Sequence, residues 1–456
     1  MEIVTIEDSM RREYLDQDVH LMRVELRQLI QRKMWSLGFV KMSTLADMMK
    51  YSKGGLSKIL SSNADTAFTL DLLDRLTSAL GLEQGYFYSY FVFECYKKSG
   101  RLDIKKCKSF IEQCLLQGMS DLANRTSFLL LNQKESLETL FKLAESLYER
   151  HLYDEAVHIY SAIRDGWDGQ ITTSYATSMY RLFLIHRSFM RTRGESSKNS
   201  YIALVKLLGV QKHLTPKLYL DSLLEISYFY NLVEDFENTE RYTREAKRYC
   251  ENLLNDGNLE LCGITRDELD SYYAESLMNL SFSLKGAGKY PFVYELIDQY
   301  SKINDYFFDL SIGNRLLTEI EEGKIESINE FFKWANGRRE HMRSIVPTAL
   351  SAYLKTGKIK EATIFLHDNR ELIKFIENEL YTLGIKYRIS YNQLMGSYLL
   401  YMNRFEEGLN KLLIALEWSE HMGNNFRSKK ITAVFAKHYN KASQEQREKY
   451  NSMMEG

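Results

Sequence analysis

Lys53, Gly54, Gly55, Ser57 and Lys58 fall together on one side of a short predicted helix. Small residues let a helix backbone come close to a duplex, and amines and hydroxyls meet phosphates and base edges. The chemistry this face offers is therefore recognition of DNA in the major groove. Its opposite side carries Leu56, Ile59 and Leu60, at the i, i+3, i+4 spacing of a buried stripe. Positioning such a face takes three things. Ser52 precedes it as an N-cap and also faces the duplex. Lys50-Tyr51-Ser52 forms a polar turn, and Leu45-Ala46 opens an earlier short helix expected to pack through Met48 and Met49. Ser43 to Asn63 thus reads as a helix-turn-helix, with Asn63 a further DNA contact at its far end.

Between His20 and Asp65 there are eight Lys or Arg residues (Arg23, Arg27, Arg32, Lys33, Lys41, Lys50, Lys53, Lys58) and three acids, in a chain of formal net charge -1. Phosphate neutralisation dominates nucleic-acid affinity, so this local excess matters more than the whole-chain balance. Arg32, Lys33 and Lys41 are expected to hold phosphates. Leu21 to Leu37 gives an amphipathic helix before the motif, through Leu26, Leu29, Ile30, Met34 and Leu37; Thr69 to Leu82 gives another after it, capped by Gly81. The arrangement resembles the compact repressor-type helix-turn-helix domain, in the Leu45-Ala46 opening, the Ser52 cap, the Leu56-Ser57-Lys58 core and the closing Ala79-Leu80-Gly81-Leu82. It departs at the turn, where Lys50 occupies the place usually held by Gly and must manage a positive φ or bend differently. The plain reading of the same residues is a helical hairpin with a solvated basic face.

At 456 residues the chain calls for two or three domains. Three prolines, with frequent Leu, Lys, Glu and Tyr, argue for helix nearly throughout. No apolar run approaches membrane length and Met1 to Leu15 lacks a signal-peptide pattern, so a cytoplasmic protein without membrane contact is expected. Five cysteines without a CxxC motif suit that compartment as buried thiols. Nine scattered histidines, and no phosphate loop, HExxH or GxSxG motif, leave no catalytic, metal or cofactor expectation.

From about residue 140 a pattern recurs: an apolar helix, a short turn, a large residue, then small residues on a second helix. It centres on Tyr153, Phe236, Tyr290, Ile325, Ile359 and Phe405, and the spacing of Tyr290, Ile325 and Ile359 is that of tetratricopeptide units. The expected fold is all-α: a helix-turn-helix domain (1–82), a helical junction (83–134) rich in aromatics from Tyr86 to Tyr96, and a right-handed tetratricopeptide-like solenoid (135–456). No flexible linker separates head from repeats, which favours rigid coupling between them.

A helix-turn-helix head fused to such repeats resembles the peptide-pheromone receptors of Gram-positive bacteria and their phages, most closely the arbitrium-type lysis–lysogeny receptors. The head motif at Leu45–Ile59, the segment Phe91–Tyr96 followed by Arg101 to Leu122, and the repeats carry the resemblance. It implies a homodimer that reads two operator half-sites in double-stranded DNA and a solenoid that encloses a short signalling peptide. An extended peptide needs donors and acceptors together, which Asn supplies. Asn231, Asn279 and Asn392 lie on or beside predicted inner helices, with Tyr228 and Tyr398. Arg315 is placed to meet a carboxylate, and Asn425, Phe426 and Arg427 to close over the ligand. The stretch Phe426 to Tyr450 reads equally as a solenoid cap or a dimer contact. The rival reading of the whole chain is a repeat adaptor that inhibits a protein partner without binding DNA.

Overall fold

The structure is a computed structural model that describes residues 17–38, 41–61, 66–97, 99–133, 136–256, 259–378 and 382–455. Among these residues it is all-helical, apart from one isolated antiparallel bridge between Tyr96 and Leu102. The chain forms two compact units, Met1–Ser178 and Met179–Gly456.

The first unit contains α1 (Gln17–Ser36), α2 (Met42–Met48), α3 (Lys53–Ile59), α4 (Leu70–Ala79), α5 (Tyr88–Glu94), α6 (Ile104–Leu116), α7 (Ser120–Leu131), α8 (Ser136–Glu149) and α9 (Tyr153–Gly166). Leu26, Ile30 and Met34 of α1, Leu45, Ala46 and Met49, Leu56 and Ile59 of α3, and Leu72, Leu73 and Leu76 of α4 are all buried. Two expected core residues are not. Met48 is 55 % exposed and Leu37 is 45 % exposed. Met49, one turn beyond Leu45, takes the inward position instead, and Leu37 lies just past the end of α1, off its apolar stripe. Among the aromatics between Tyr86 and Tyr96, Phe87, Tyr88 and Phe91 are buried, and Tyr88 and Phe91 pack on Phe110 of α6.

A buried ionic knot ties α1 to α5 and α6. The Arg27 guanidinium, 1 % exposed, donates to Glu94 Oε1 at 2.7 Å and to the carbonyls of Ile59 and Thr66 at 2.9 and 2.7 Å. Glu94 Oε2 accepts from the Phe68 N–H at 2.8 Å, and Lys106 Nζ donates to the Phe68 and Glu94 carbonyls. Arg23 adds bonds to the carbonyls of Phe93 and Tyr96. Two of the eight cations counted from sequence are thus internal ties.

The boundary between units falls within α10 (Thr173–Arg193). The second unit continues with α11 (Lys198–Val210), α12 (Pro216–Leu232), α13 (Phe236–Asp256), α14 (Leu259–Cys262), α15 (Arg266–Gly286), α16 (Tyr290–Tyr300), α17 (Asp305–Glu322), α18 (Ser327–Trp334), α19 (Arg339–Lys355), α20 (Ile359–Asp368), α21 (Arg370–Asn378), α22 (Thr382–Tyr401), α23 (Phe405–His421), α24 (Asn425–Lys437) and α25 (Gln444–Glu455). Successive helices pack in adjacent pairs, as helical repeats do: α12 on α13, α15 on α16, α17 on α18, α22 on α23. Helices α22 and α23 approach closely at two glycines: a Cβ at Gly396 would sit 2.9 Å from the Gly408 carbonyl oxygen.

The repeats share a backbone device. Tyr153, Phe236, Tyr290, Ile359 and Phe405 each begin a second helix, and Ile325 lies two residues before α18. Two positions before each of these six residues the chain turns through the left-handed region, at His151, Glu234, Gly288, Asn403, Gly323 and Gly357. That region costs an L-residue roughly 1–2 kcal/mol. Gly or Asn is its economical occupant, His at position 151 is a tolerated one, and Glu234 is the residue most out of character.

Candidate functional site

In the first unit, α2 and α3 are seven residues each, joined by a turn in which Lys50 has φ 49°. The turn thus takes the positive φ with a lysine in place of glycine. Ser52 Oγ accepts the Gly55 N–H at 3.1 Å and starts α3. Leu56 and Ile59 anchor the helix, while Ser52, Lys53, Gly54, Ser57 and Lys58 are exposed together. The two glycines differ. A Cβ at Gly55 would sit 2.7 Å from Ser52 Oγ and 2.8 Å from the Tyr51 ring, so the cap needs that glycine. A Cβ at Gly54 would meet nothing within 4 Å. Nothing in the fold requires a glycine there, although one inside a helix forgoes up to about 1 kcal/mol against Ala. Arg32 and Lys41 are exposed, and Lys33 Nζ stands 5.1 Å from the centre of the Tyr86 ring. Asn63 lies outside the described residues.

In the second unit, residues of the first hairpins meet residues of the last ones. Glu234, in the α12–α13 turn, takes a two-pronged contact from Arg427 of α24: Nε to Oε2 at 2.5 Å and Nη2 to Oε1 at 2.8 Å. Asn424 caps α24 by accepting the Arg427 N–H and also donates to Glu234 at 3.0 Å. Arg427 Nη1 reaches Gln393 of α22 at 2.8 Å. Lys386, also on α22, donates to the carbonyl and the side-chain oxygen of Asn231 at 2.9 and 3.1 Å. Beside them, His421 Nε2 contacts the Gly194 carbonyl at 2.7 Å and the Ser197 N–H donates to the His421 carbonyl. Burial alone would push the Glu234 carboxyl up, but the Arg427 guanidinium, with Lys386 and Asn424, outweighs it and holds the group at about 2. Burial lowers Lys386 to about 8; Glu234 opposes that shift, while Arg427 and Lys285 reinforce it.

Of the nine residues expected around a peptide, six lie in this region. Asn231 holds Lys386, Asn279 is 2 % exposed and donates to Ser227 Oγ at 3.4 Å, and Arg427 grips Glu234. Tyr228, three residues before Asn231, lies under the Arg187 guanidinium, which pairs with Glu225. Phe426 sets its ring edge-on to Phe236 at 5.4 Å with Lys430 over its face, and Asn425 is exposed at the start of α24, where Asn424 provides the cap. The others stand apart. Arg315 pairs with Asp298 and covers the Tyr294 ring; Asn392 bonds the Arg388 carbonyl of its own helix; Tyr398 is core, its hydroxyl 2.7 Å from Thr363 Oγ1. Sequence reasoning passed over Glu234, Lys386, Gln393 and Asn424. Only Glu234 had a local signal, an acid at a turn position where three of the other repeats carry glycine.

Cys95, Cys107, Cys114 and Cys250 are buried free thiols, and no cluster of metal-ligating side chains occurs among the described residues. No helix among them is long and apolar enough to cross a membrane. No protein-family model matches the chain, and no curated protein matches it. Among solved structures it is similar to one titled "Circular tandem repeat protein with novel repeat topology and enhanced subunit contact surfaces", at 13 % identity over 96 % of this chain and 95 % of the other. The TM-score of 0.16 gives that likeness no weight.

Proposed function

We propose that this chain is a DNA-binding transcriptional regulator whose promoter binding is controlled by a short peptide held in the helical repeats. In this reading α1 to α4 form a helix-turn-helix head, α3 reads the major groove, and the repeats form a right-handed tetratricopeptide-like solenoid. The observation that carries it is the exposed face of α3. Ser52, Lys53, Ser57 and Lys58 surround Gly54, a glycine with open space before it and no structural need behind it. Close approach to a duplex would account for that glycine. Arg32 and Lys41 extend the cationic surface. On this reading the protein is a cytoplasmic homodimer that presents two heads to two half-sites.

The test is a fluorescence-polarisation titration of the full chain against DNA from upstream of its own gene and its neighbours, at two salt concentrations, beside an unrelated duplex. Salt-tolerant binding to one fragment, lost in Lys53→Ala/Lys58→Ala with folding intact, is expected. Loss of two phosphate contacts flattens the logarithmic salt slope by about 2. Weak binding to every fragment, erased by salt, would reject the assignment and leave a protein-binding adaptor as the better account.

A further inference from the structure

The charges around Lys386 do not balance. The charges that act on it most strongly are Glu234 and Glu321 on one side and Arg427 and Lys285 on the other. Each acid already has a cation of its own: Arg427 for Glu234 at 2.5 Å, and Lys285 for Glu321 at 3.2 Å. Lys386 is therefore the surplus. Its Nζ is satisfied only by the two oxygens of Asn231, and among the described residues no carboxylate lies within ion-pair distance of it. Lys430, which feels the charges of Arg427 and Glu234, adds a further cation at the margin. A desolvated ammonium held by neutral oxygens, beside a guanidinium, has the composition of a carboxylate-binding site. Neighbouring groups supply what a peptide backbone would use next: Gln393 on α22 and Asn231 on α12. Lys386 is partly exposed as a residue, and Arg427 keeps 20 % of its side chain exposed.

We propose that Lys386, flanked by Arg427 and oriented by Asn231, is the subsite for a carboxylate group of the bound peptide. The proposal rests on the peptide-controlled reading above and adds the chemistry of the ligand. The carboxylate completes the charge balance and takes the donor capacity that Asn231 leaves on the ammonium. Either the peptide's C-terminus or an acidic side chain presents the same group.

The test uses the full-length protein and two synthetic hexapeptide mixtures, randomised at every position, one with free C-termini and one C-terminally amidated. Protein is equilibrated with each mixture and separated by size, and retained peptides are sequenced by mass spectrometry. Retention of free-acid peptides at least tenfold above amidated ones assigns the subsite to the C-terminus. Retention of amidated peptides only when they carry Asp or Glu assigns it to a side chain. In Lys386→Met the carboxylate preference disappears, and in Lys386→Arg it persists. Equal retention of peptides with and without any carboxylate overturns this subsite while leaving peptide binding standing. Retention of no peptide by the wild-type chain overturns both. Should Lys386→Met fail to fold, equal retention by the wild-type chain still overturns the subsite, and Lys386→Gln serves as the second variant.

Discussion

Replacing Arg427 by Ala should be among the most damaging single changes in the second unit, and its damage should depend on pH. Glu234 has 4 % of its side chain exposed and Arg427 20 %. Glu234 titrates at about 2 rather than 4.5, so its pairing stabilises the fold by an amount on the order of 3 kcal/mol. The sign follows from the lowered value: this contribution is complete above pH 4.5 and is lost as the pH falls towards 2. Arg427→Ala leaves a desolvated carboxylate with its main counter-charge gone, a change that costs about 3–5 kcal/mol. Its carboxyl then titrates above the usual carboxylate range, because burial remains and the guanidinium does not. The deficit against wild type should therefore shrink as the pH is lowered from 7 to 4. The double variant Glu234→Gln/Arg427→Met removes both charges and should recover most of the loss. Urea unfolding followed by tryptophan fluorescence measures wild type, Arg427→Ala, the double variant and its two single changes, Glu234→Gln and Arg427→Met. A Trp35→Phe/Trp167→Phe background confines the signal to Trp334 and Trp418, which lie in the second unit. A single-variant cost below about 1 kcal/mol, or strictly additive single changes, would refute a closure held by this pair.

Gly54→Ala should leave the melting temperature unchanged or raise it, while weakening operator binding at least tenfold. Gly55→Ala should lower stability by about 1 kcal/mol, because its Cβ crowds the oxygen that caps α3. Lys50→Gly relieves a left-handed lysine and should stabilise the first unit by about 1 kcal/mol, read as a shift in urea midpoint. Arg27→Ala strands Glu94 in the core and should cost the first unit about 3–5 kcal/mol. Lys386 titrates at about 8, below its ordinary 10.5, so its charged form is the one the fold disfavours. Stability of the second unit should accordingly rise with pH between 8 and 10.5, and Lys386→Met should flatten that rise.

What could be read in advance was local. The cap at Ser52, the stop at Gly81, the stripe of Leu56 and Ile59, and the large residues that begin second helices all depend on neighbours within a few positions. Local charge counting was less secure, because it treats every cation alike. Arg27 sits on the same helix as Arg32, yet it faces inward with Leu26 and Ile30, and its charge is consumed by an acid 67 residues away. Which cation is spent in this way depends on the helix phase, and an arginine on the buried side of a stripe should be discounted as a phosphate ligand. The closure of the second unit is further from reach. Glu234 and Arg427 are 193 residues apart, and their meeting is set by rotations accumulated over every intervening helix pair. Even so, the sequence carries one trace of it. Three repeats place Gly at the left-handed turn position, a fourth Asn and a fifth His, whereas this repeat accepts a strained acid. A costly residue in a register that supplies its own economical alternative points to a partner elsewhere. Here the partner is the guanidinium that closes the unit.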